Sequence, residues 1–152
     1  MESVQIQQLT SGDVAAFKDL INLFEDVFEM QSFTRPADEH LTSLLANRDF
    51  HVFVAQKENR IVGGLTTYTL HQYYSPKPLA YIYDLAVARP YQRKGIGKQL
   101  IYAVTDYFRS RGYEEVFVQA DKTDGYALDF YRQTGPTEEE DVSHFYYTLT
   151  AT

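Results

Sequence analysis

Between Tyr81 and Leu100 the chain reads YIYDLAVARPYQRKGIGKQL, an apolar, aromatic run that passes into a basic, glycine-punctuated turn and then into a helical pattern. Glycines at 95 and 97 let the backbone turn with its N–H groups converging. A following helix adds unpaired amides and the positive end of its dipole. Such a nest suits a pyrophosphate. Arg89, Arg93, Lys94 and Lys98 place basic charge around it, in a chain whose net charge is −7. The plainer alternative is a glycine-rich helix start carrying solvated charges.

Two established nucleotide motifs do not fit. A Walker loop needs a glycine five residues before its Gly-Lys pair and a Ser or Thr after it. Gln92 and Gln99 occupy those places here. The dinucleotide fingerprint needs G-x-G-x-x-G in the first strand–helix turn. Here Leu100 stands where the third glycine belongs, and the turn lies past mid-chain.

The elements that must hold this turn follow from periodicity. VQIQQL alternates as a half-buried strand. A helix follows, with Thr10 and Asp13 spaced as a capping box and Val14, Phe17, Leu20, Ile21, Phe24, Val27 and Phe28 at helical spacing. A shorter helix is expected from Asp38 to Asn47, after Pro36. FHVFVAQ and RIVGGLTTYTLH flank the polar turn KENR and read as a hairpin. LAYIYDLAVA is the strand entering the glycine turn, and Ile96, Leu100, Val104, Tyr107 and Phe108 form the stripe of the helix leaving it, stopped by Gly112. EEVFVQA is a further strand, DGYALDFYRQTG a short helix, and DVSHFYYTLT a last strand. This order predicts an α/β (α+β) fold of one domain over residues 1–152, with a parallel strand pair joined through the helix after the glycine turn.

Composition narrows the function. The 152 residues, 44% hydrophobic and 23% charged, fit one globular domain. No apolar run is long enough to suggest a membrane span. The opening MESVQIQQL lacks a secretory pattern, so a cytoplasmic location is expected. There is no cysteine, which removes thiolate metal sites and a cysteinyl covalent intermediate. The acidic balance argues against a nucleic-acid partner and is compatible with a cationic substrate. Histidines at 40, 51, 71 and 144 show no metal-ligand spacing, and no metal is expected. The 13 Tyr and 10 Phe, with no Trp, suit both core and the walls of wet clefts.

LAVARPYQRKGIGKQL resembles the acetyl-coenzyme A signature of the GNAT superfamily of N-acetyltransferases, and the order of elements is similar from residue 3 to 149. The segments YIYDLAV, VFVQAD, YRQTG and EEEDVSHFYYTLTAT resemble, more narrowly, the type I aminoglycoside 3-N-acetyltransferases. Two departures stand beside the expected substrate lip: an extra residue near Glu140-Asp141, and Pro136 in place of an apolar residue.

The resemblance implies a central sheet of six to seven strands, split at a bulge and flanked by about four helices. It implies acetyl-CoA held by Leu85, Ala86, Val87, Gln92, Arg93, Lys94, Gly95, Ile96, Gly97, Lys98 and Tyr131. The acceptor would be a cationic amine, an aminoglycoside's 3-amino group in this reading, attacked directly in a ternary complex. Another polyamine or protein amino group, or a non-catalytic acyl-CoA sensor, are the alternatives. Asp84 is the candidate base, which could equally pair with a neighbouring Tyr or amide. The Leu85 N–H is the candidate donor to the thioester oxygen. Tyr131 is the candidate acid toward the leaving thiolate, or simply a packing group. Tyr83, Asp84, Asp121, Asp124, Glu139, Glu140 and His144 are the candidate substrate contacts, against the alternative of a solvated acidic loop. Members of the family are often dimers, which leaves a homodimer open.

Overall fold

The polar turn at KENR folds as its residues dictate. In the computed structural model, which describes residues 3–150, Glu58 and Asn59 take φ values of 53° and 62°. Positive φ at both central positions is what a two-residue hairpin turn matched to strand twist requires. The turn joins β2 (Phe50–Lys57) to β3 (Arg60–Leu70), with Lys57 opposite Arg60. β1 (Gln5–Gln8) pairs antiparallel on the outer side of β2. β4 (Leu79–Val87) pairs antiparallel with β3, and β5 (Glu115–Val118) pairs parallel with β4. The sheet therefore has five strands in the order β1-β2-β3-β4-β5.

Period-two alternation sorts the side chains of β2. Phe50, Val52 and Val54 join Phe17, Leu20, Leu23 and Phe24 of α1 (Val14–Val27) and Leu41 of α2 (Asp38–Ala46) in one core cluster. His51 and Phe53 point the other way, their rings 5.3–6.2 Å from those of Tyr107 and Phe108 on α3 (Ile96–Ser110). Of the expected α3 stripe, Ile96, Leu100, Val104 and Phe108 are inaccessible or nearly so, and Tyr107 is half-buried. Each such side chain contributes about 1.5–3 kcal/mol. Adjacent glycines of β3 serve both layers. A Cβ on Gly63 would stand 3.5 Å from Ile96 of α3, and one on Gly64 2.6 Å from Leu20 of α1.

The start of α1 carries half of the expected capping box. The Asp13 carboxylate accepts both the Thr10 N–H (2.7 Å) and the Thr10 hydroxyl (3.0 Å). The helix itself starts at Val14, with Asp13 in the N-cap position and no side-chain cap bond.

The first unit of the chain ends at Gln119 and a second starts at Ala120. In the second, Asp124 caps α4 (Gly125–Gln133) by accepting from the Ala127 N–H at 3.0 Å. Arg132 and Glu139 form a two-point ion pair at 3.0 and 2.8 Å. The last expected strand is absent. Residues 141–150, where it was expected, form no ladder, so among the described residues the sheet has five strands rather than six to seven. Val, Phe and Tyr favour an extended chain, but a strand exists only once its backbone finds a partner.

Candidate functional site

The centre of the candidate site is a discontinuity in two ladders of β4. On its β3 side, Asp84 lies opposite Thr66 and Ile82 opposite Thr67, so Tyr83 has no counterpart. That single extra residue is a β-bulge, and it re-aims the side chains around it. Tyr81 lies opposite Tyr68. The bulge thus brings Tyr81 and Asp84, three residues apart, to the face shared by Thr66 and Tyr68. An aromatic wall results. Tyr83 meets Tyr68 edge-on at 5.6 Å and Tyr81 edge-on at 5.9 Å, while Tyr81 stacks on Phe117 at 4.7 Å. The Tyr81 hydroxyl donates to Gln119 Oε1 at 3.0 Å.

On its other side β4 loses its neighbour. Pairing with β5 runs from Leu79–Glu115 to Ile82–Val118 and stops, whereas β4 continues against β3 to Val87. Antiparallel ladders alternate bonded and non-bonded pairs. The Ala88 N–H donates to the Val62 carbonyl at 2.8 Å, which fixes the phase. Counting back, Ala86–Gly64 and Asp84–Thr66 are bonded pairs, and Val87–Gly63 and Leu85–Leu65 are not. The amides of Leu85 and Val87 therefore point away from β3, toward the side that β5 has left. The Val87 carbonyl on that side accepts from Gln92 Nε2 at 2.9 Å.

The glycine turn follows directly. A 3-10 turn, Arg89–Tyr91, leads to Arg93 at φ 61° and Gly95 at φ 84°, the latter serving as N-cap of α3. No side chain caps this helix start. The first bond of α3 runs from the Gln99 N–H to the Gly95 carbonyl at 3.0 Å, so the amides of Ile96, Gly97 and Lys98 precede it. A Cβ on Gly95 would meet nothing within 4 Å, so the glycine is required by its backbone angle and not by crowding. The Lys94 and Lys57 ammonium groups lie 6.0 and 5.8 Å from the Tyr91 ring, and Lys98 lies 5.8 Å from the Tyr102 ring. Arg89 is turned elsewhere: it grips Asp26 through the carboxylate and the main-chain carbonyl, each at 2.9 Å, tying the turn to the end of α1.

Electrostatics single out Asp84. Burial pushes its carboxyl above the usual carboxylate range. Burial, then Tyr83 and Asp84, push the Tyr68 phenol up as well. A carboxylate held short of water next to phenols and an open strand edge can accept a proton from a cationic amine. Uncapped amides with basic side chains around them can hold a diphosphate, and outward strand amides can hold the carbonyl groups of an extended arm. The residues present therefore fit acetyl-CoA.

In the second unit the sequence-predicted residues have local partners. Asp121 accepts from the Thr123 N–H (2.9 Å) and hydroxyl (2.8 Å), and these bonds hold its carboxyl below the usual range. Asp124 is the α4 cap and Glu139 the partner of Arg132. Asp141 pairs with Lys122 at 3.1 Å. Glu140 is exposed, and His144 stacks on Tyr146 with ring centroids 4.3 Å apart. Tyr131 lies half-buried on α4, edge-on to Phe130 at 4.9 Å. Among the described residues no cluster of His, Asp or Glu could hold a metal ion, and no helix is long and apolar enough to cross a membrane.

Residues 17–135 match the model of the acetyltransferase (GNAT) family. The chain belongs to that family. Among solved structures, it is similar to meta-AAC0020, an aminoglycoside acetyltransferase from an uncultured soil metagenomic sample, crystallised with sisomicin and with trehalose. That chain is 60% identical, 97% of each chain is covered, and the TM-score is 0.95. A second aminoglycoside acetyltransferase from an uncultured soil metagenomic sample, HMB0005, is 33% identical, with 97% of this chain and 99% of the other covered and a TM-score of 0.91. An uncharacterised N-acetyltransferase of Bacillus subtilis (strain 168), YhfO, is 26% identical over 146 residues, 96% of this chain and 97% of the other.

Within this GNAT chain, Tyr83, Asp84, Leu85, Ala86 and Val87 line up along the parted stretch of β4, and Gln92 to Lys98 form the turn that follows it. Reading the sequence missed Tyr68. It sits in TTYTL, where it is half-exposed in a strand whose neighbours Thr67 and Thr69 are buried. An aromatic residue on the open face of an otherwise buried strand was the available signal, and only the register places it against Tyr81 and Tyr83.

Proposed function

We propose that this GNAT enzyme transfers acetyl from acetyl-CoA to the 3-amino group of an aminoglycoside, by direct attack within a ternary complex, and so confers resistance. The observation that carries the reading is the 60% identity, over 97% of both chains, to an aminoglycoside acetyltransferase crystallised with sisomicin. Acetyl-CoA, when bound, supplies the acetyl group as a thioester. The amides of Gly95, Ile96, Gly97 and Lys98, with Gln92, Arg93 and Lys94 around them, hold its diphosphate. Leu85, Ala86 and Val87 would hold the arm along β4, with the Leu85 N–H placed to donate to the thioester carbonyl oxygen and to stabilise the negative charge that acyl transfer develops there.

Asp84 acts on the amine. Its carboxylate attracts the ammonium form, then takes the proton directly or through one water, leaving a neutral nucleophile. Tyr83 and Tyr68 give the aminosugar an apolar wall with polar tips. Tyr131 Oη would give a proton to the departing sulfur, and the second amine proton, released as the amide forms, would restore the phenol. Asp121, Asp124, Glu139, Glu140 and His144 would serve the remaining amines and hydroxyls of the drug.

The test is release of free thiol from acetyl-CoA by the purified chain with a panel of amines. Release with sisomicin-like and gentamicin-like compounds, and an acetyl group on nitrogen 3 of the product by NMR, is the expected result. Release with polyamines or peptides alone would replace the substrate class. Coenzyme binding with no release under any amine would make the protein an acyl-CoA sensor. Expression in a susceptible host, with a raised inhibitory concentration of the drug, tests the biological role.

A further inference from the structure

Carboxylates crowd the end of α1 that least favours them. Glu25 and Asp26 lie in its last turn and Glu29 just beyond it, where the helix dipole is negative and cations are preferred. No basic residue stands in that last turn. The compensation comes from outside the helix. Arg35 donates to Asn22 and to Glu25, each at 2.8 Å. Arg89 donates to the Asp26 carboxylate and the Asp26 carbonyl, each at 2.9 Å, and stands 4.0 Å from Glu29. A lysine within α1 would meet the charge requirement locally. Instead the chain uses an arginine 63 residues from Asp26, at the start of the segment that leads to the glycine turn. Local rules give way in this manner mainly at functional sites.

Arg89 stands where the backbone leaves the sheet. The Ala88 N–H donates to the Val62 carbonyl at 2.8 Å, and the next residue, Arg89, opens the 3-10 turn. Beyond it the backbone passes through Arg93 at φ 61° before Gly95 begins α3. A non-glycine residue at such an angle persists only where its surroundings hold it. The anchor that Arg89 uses is rigid: Leu20, Leu23 and Phe24 of α1 are buried in one core cluster with Ala86 of β4. Its grip has two prongs, one guanidinium nitrogen on a carboxylate and the other on a main-chain carbonyl, so it fixes direction as well as distance.

We propose that Arg89 is a positioning residue for the coenzyme. It holds the glycine turn against α1 in the shape that presents the Gly95 to Lys98 amides to the diphosphate, and takes no phosphate itself. The proposal rests on the reading that this turn holds acetyl-CoA. It divides the basic residues of the segment by role: Arg89 acts through Asp26, by geometry, and Lys94 acts by charge.

The test is calorimetric titration of the full chain with coenzyme A, for Arg89→Ala, Arg89→Lys, Asp26→Ala and the Arg89→Ala, Asp26→Ala double variant. Arg89→Ala should weaken binding roughly three- to tenfold. The ion pair is half-exposed, so the thermal midpoint of the free protein should barely move. Arg89→Lys keeps the charge and loses the two-pronged grip, so it should not restore affinity. Asp26→Ala should weaken binding as well, although it removes a negative charge on the side of an anionic ligand. The double variant should bind no more weakly than Arg89→Ala, because both residues act through one contact. In turnover with an aminoglycoside, the KM for acetyl-CoA should rise with kcat unchanged. An arginine that bound phosphate would give the opposite pattern: rescue by lysine, and affinity unchanged or raised in Asp26→Ala, which frees the guanidinium. Either result, or full affinity in Arg89→Ala, would overturn the proposal while the unsubstituted chain still binds coenzyme. An unsubstituted chain that binds no coenzyme A would overturn the reading beneath it, and the proposal with it.

Discussion

Ile82 and Val118 form the last pair between β4 and β5, and past them β4 runs on alone to Val87. Tyr83, the next residue, is also the one without a counterpart in β3. The bulge and the parting of the strands coincide at Tyr83, so Asp84 is re-aimed where the sheet opens, and the phase of the β3 ladder directs the Leu85 amide into the opening. The site is a property of where two ladders fail, and its side chains are arranged around that failure.

Asp84→Asn removes the proposed base while keeping shape. Turnover should fall by about 10²–10⁴-fold, with the dissociation constant for acetyl-CoA, read by calorimetry, nearly unchanged. Unaltered turnover would remove Asp84 from the mechanism.

The pH profile tests the same group without removing it. Burial raises the Asp84 pKa, and a base works only when deprotonated. The acid limb of kcat/KM should therefore lie above the range of an exposed carboxylate, and Asp84→Asn should abolish that limb. Stability carries the opposite sign. A carboxyl whose folded pKa is raised adds stability below its unfolded pKa and loses it as pH rises through the folded value. At neutral pH the ionised, desolvated Asp84 is a cost, so the Asn variant should melt higher, by about 2–4 °C per kcal/mol relieved. A lower melting temperature would mean that the carboxylate is held by partners.

Gly95→Ala separates binding from chemistry. At φ 84° any side chain is strained, although its Cβ meets nothing within the chain. That strain, about 1–2 kcal/mol, falls on the free and the bound protein alike and lowers the melting temperature. Coenzyme affinity should drop as well, because a side chain at this turn crowds the amides that face the diphosphate. Unchanged affinity would place the diphosphate elsewhere.

Tyr68→Ala should act on the amine alone. Loss of an aromatic contact worth about 0.5–1.5 kcal/mol predicts a KM for the aminoglycoside raised roughly two- to tenfold, with the KM for acetyl-CoA unmoved. Tyr68→Phe, which keeps the ring, should recover most of it. Equal losses for both substrates would make Tyr68 a structural residue.

Gly64→Ala is the stability counterpart. Its Cβ would stand 2.6 Å from Leu20 Cδ1 and 2.8 Å from the Phe53 carbonyl oxygen, between α1 and the sheet. Overpacking of this kind costs about 1–3 kcal/mol, readable as a lowered thermal midpoint with little change in kcat of the folded fraction.

Local rules carried most of the fold. The α3 stripe is buried at each position that its spacing selects among Ile96, Leu100, Val104 and Phe108, because helical periodicity is set by residues within the helix. The hairpin was legible in the two polar residues Glu58 and Asn59 that must turn it. The strand expected at 141–150 did not form, because pairing depends on a partner far away in the chain, which composition does not contain. The site divides in the same manner. Asp84 and the glycine turn lie in one continuous stretch and are visible as such. Tyr68 reaches them only through the register of β3 against β4. Asp121 and Asp124 carry an ambiguity that sequence cannot remove: Asp-Lys-Thr-Asp-Gly is an acidic cluster and also a turn followed by a helix cap, and the structure uses both carboxylates for local bonds.

The account rests on acetyl-CoA lying with its diphosphate against the amides at the start of α3 and its arm along the unpaired stretch of β4. A crystal structure with coenzyme A bound tests this most directly. Phosphate oxygens within hydrogen-bond distance of the Gly95 to Lys98 amides, and the pantetheine chain beside Leu85 and Val87, are the result expected. Coenzyme bound at another surface, or β5 closed against β4 beyond Ile82, would contradict it.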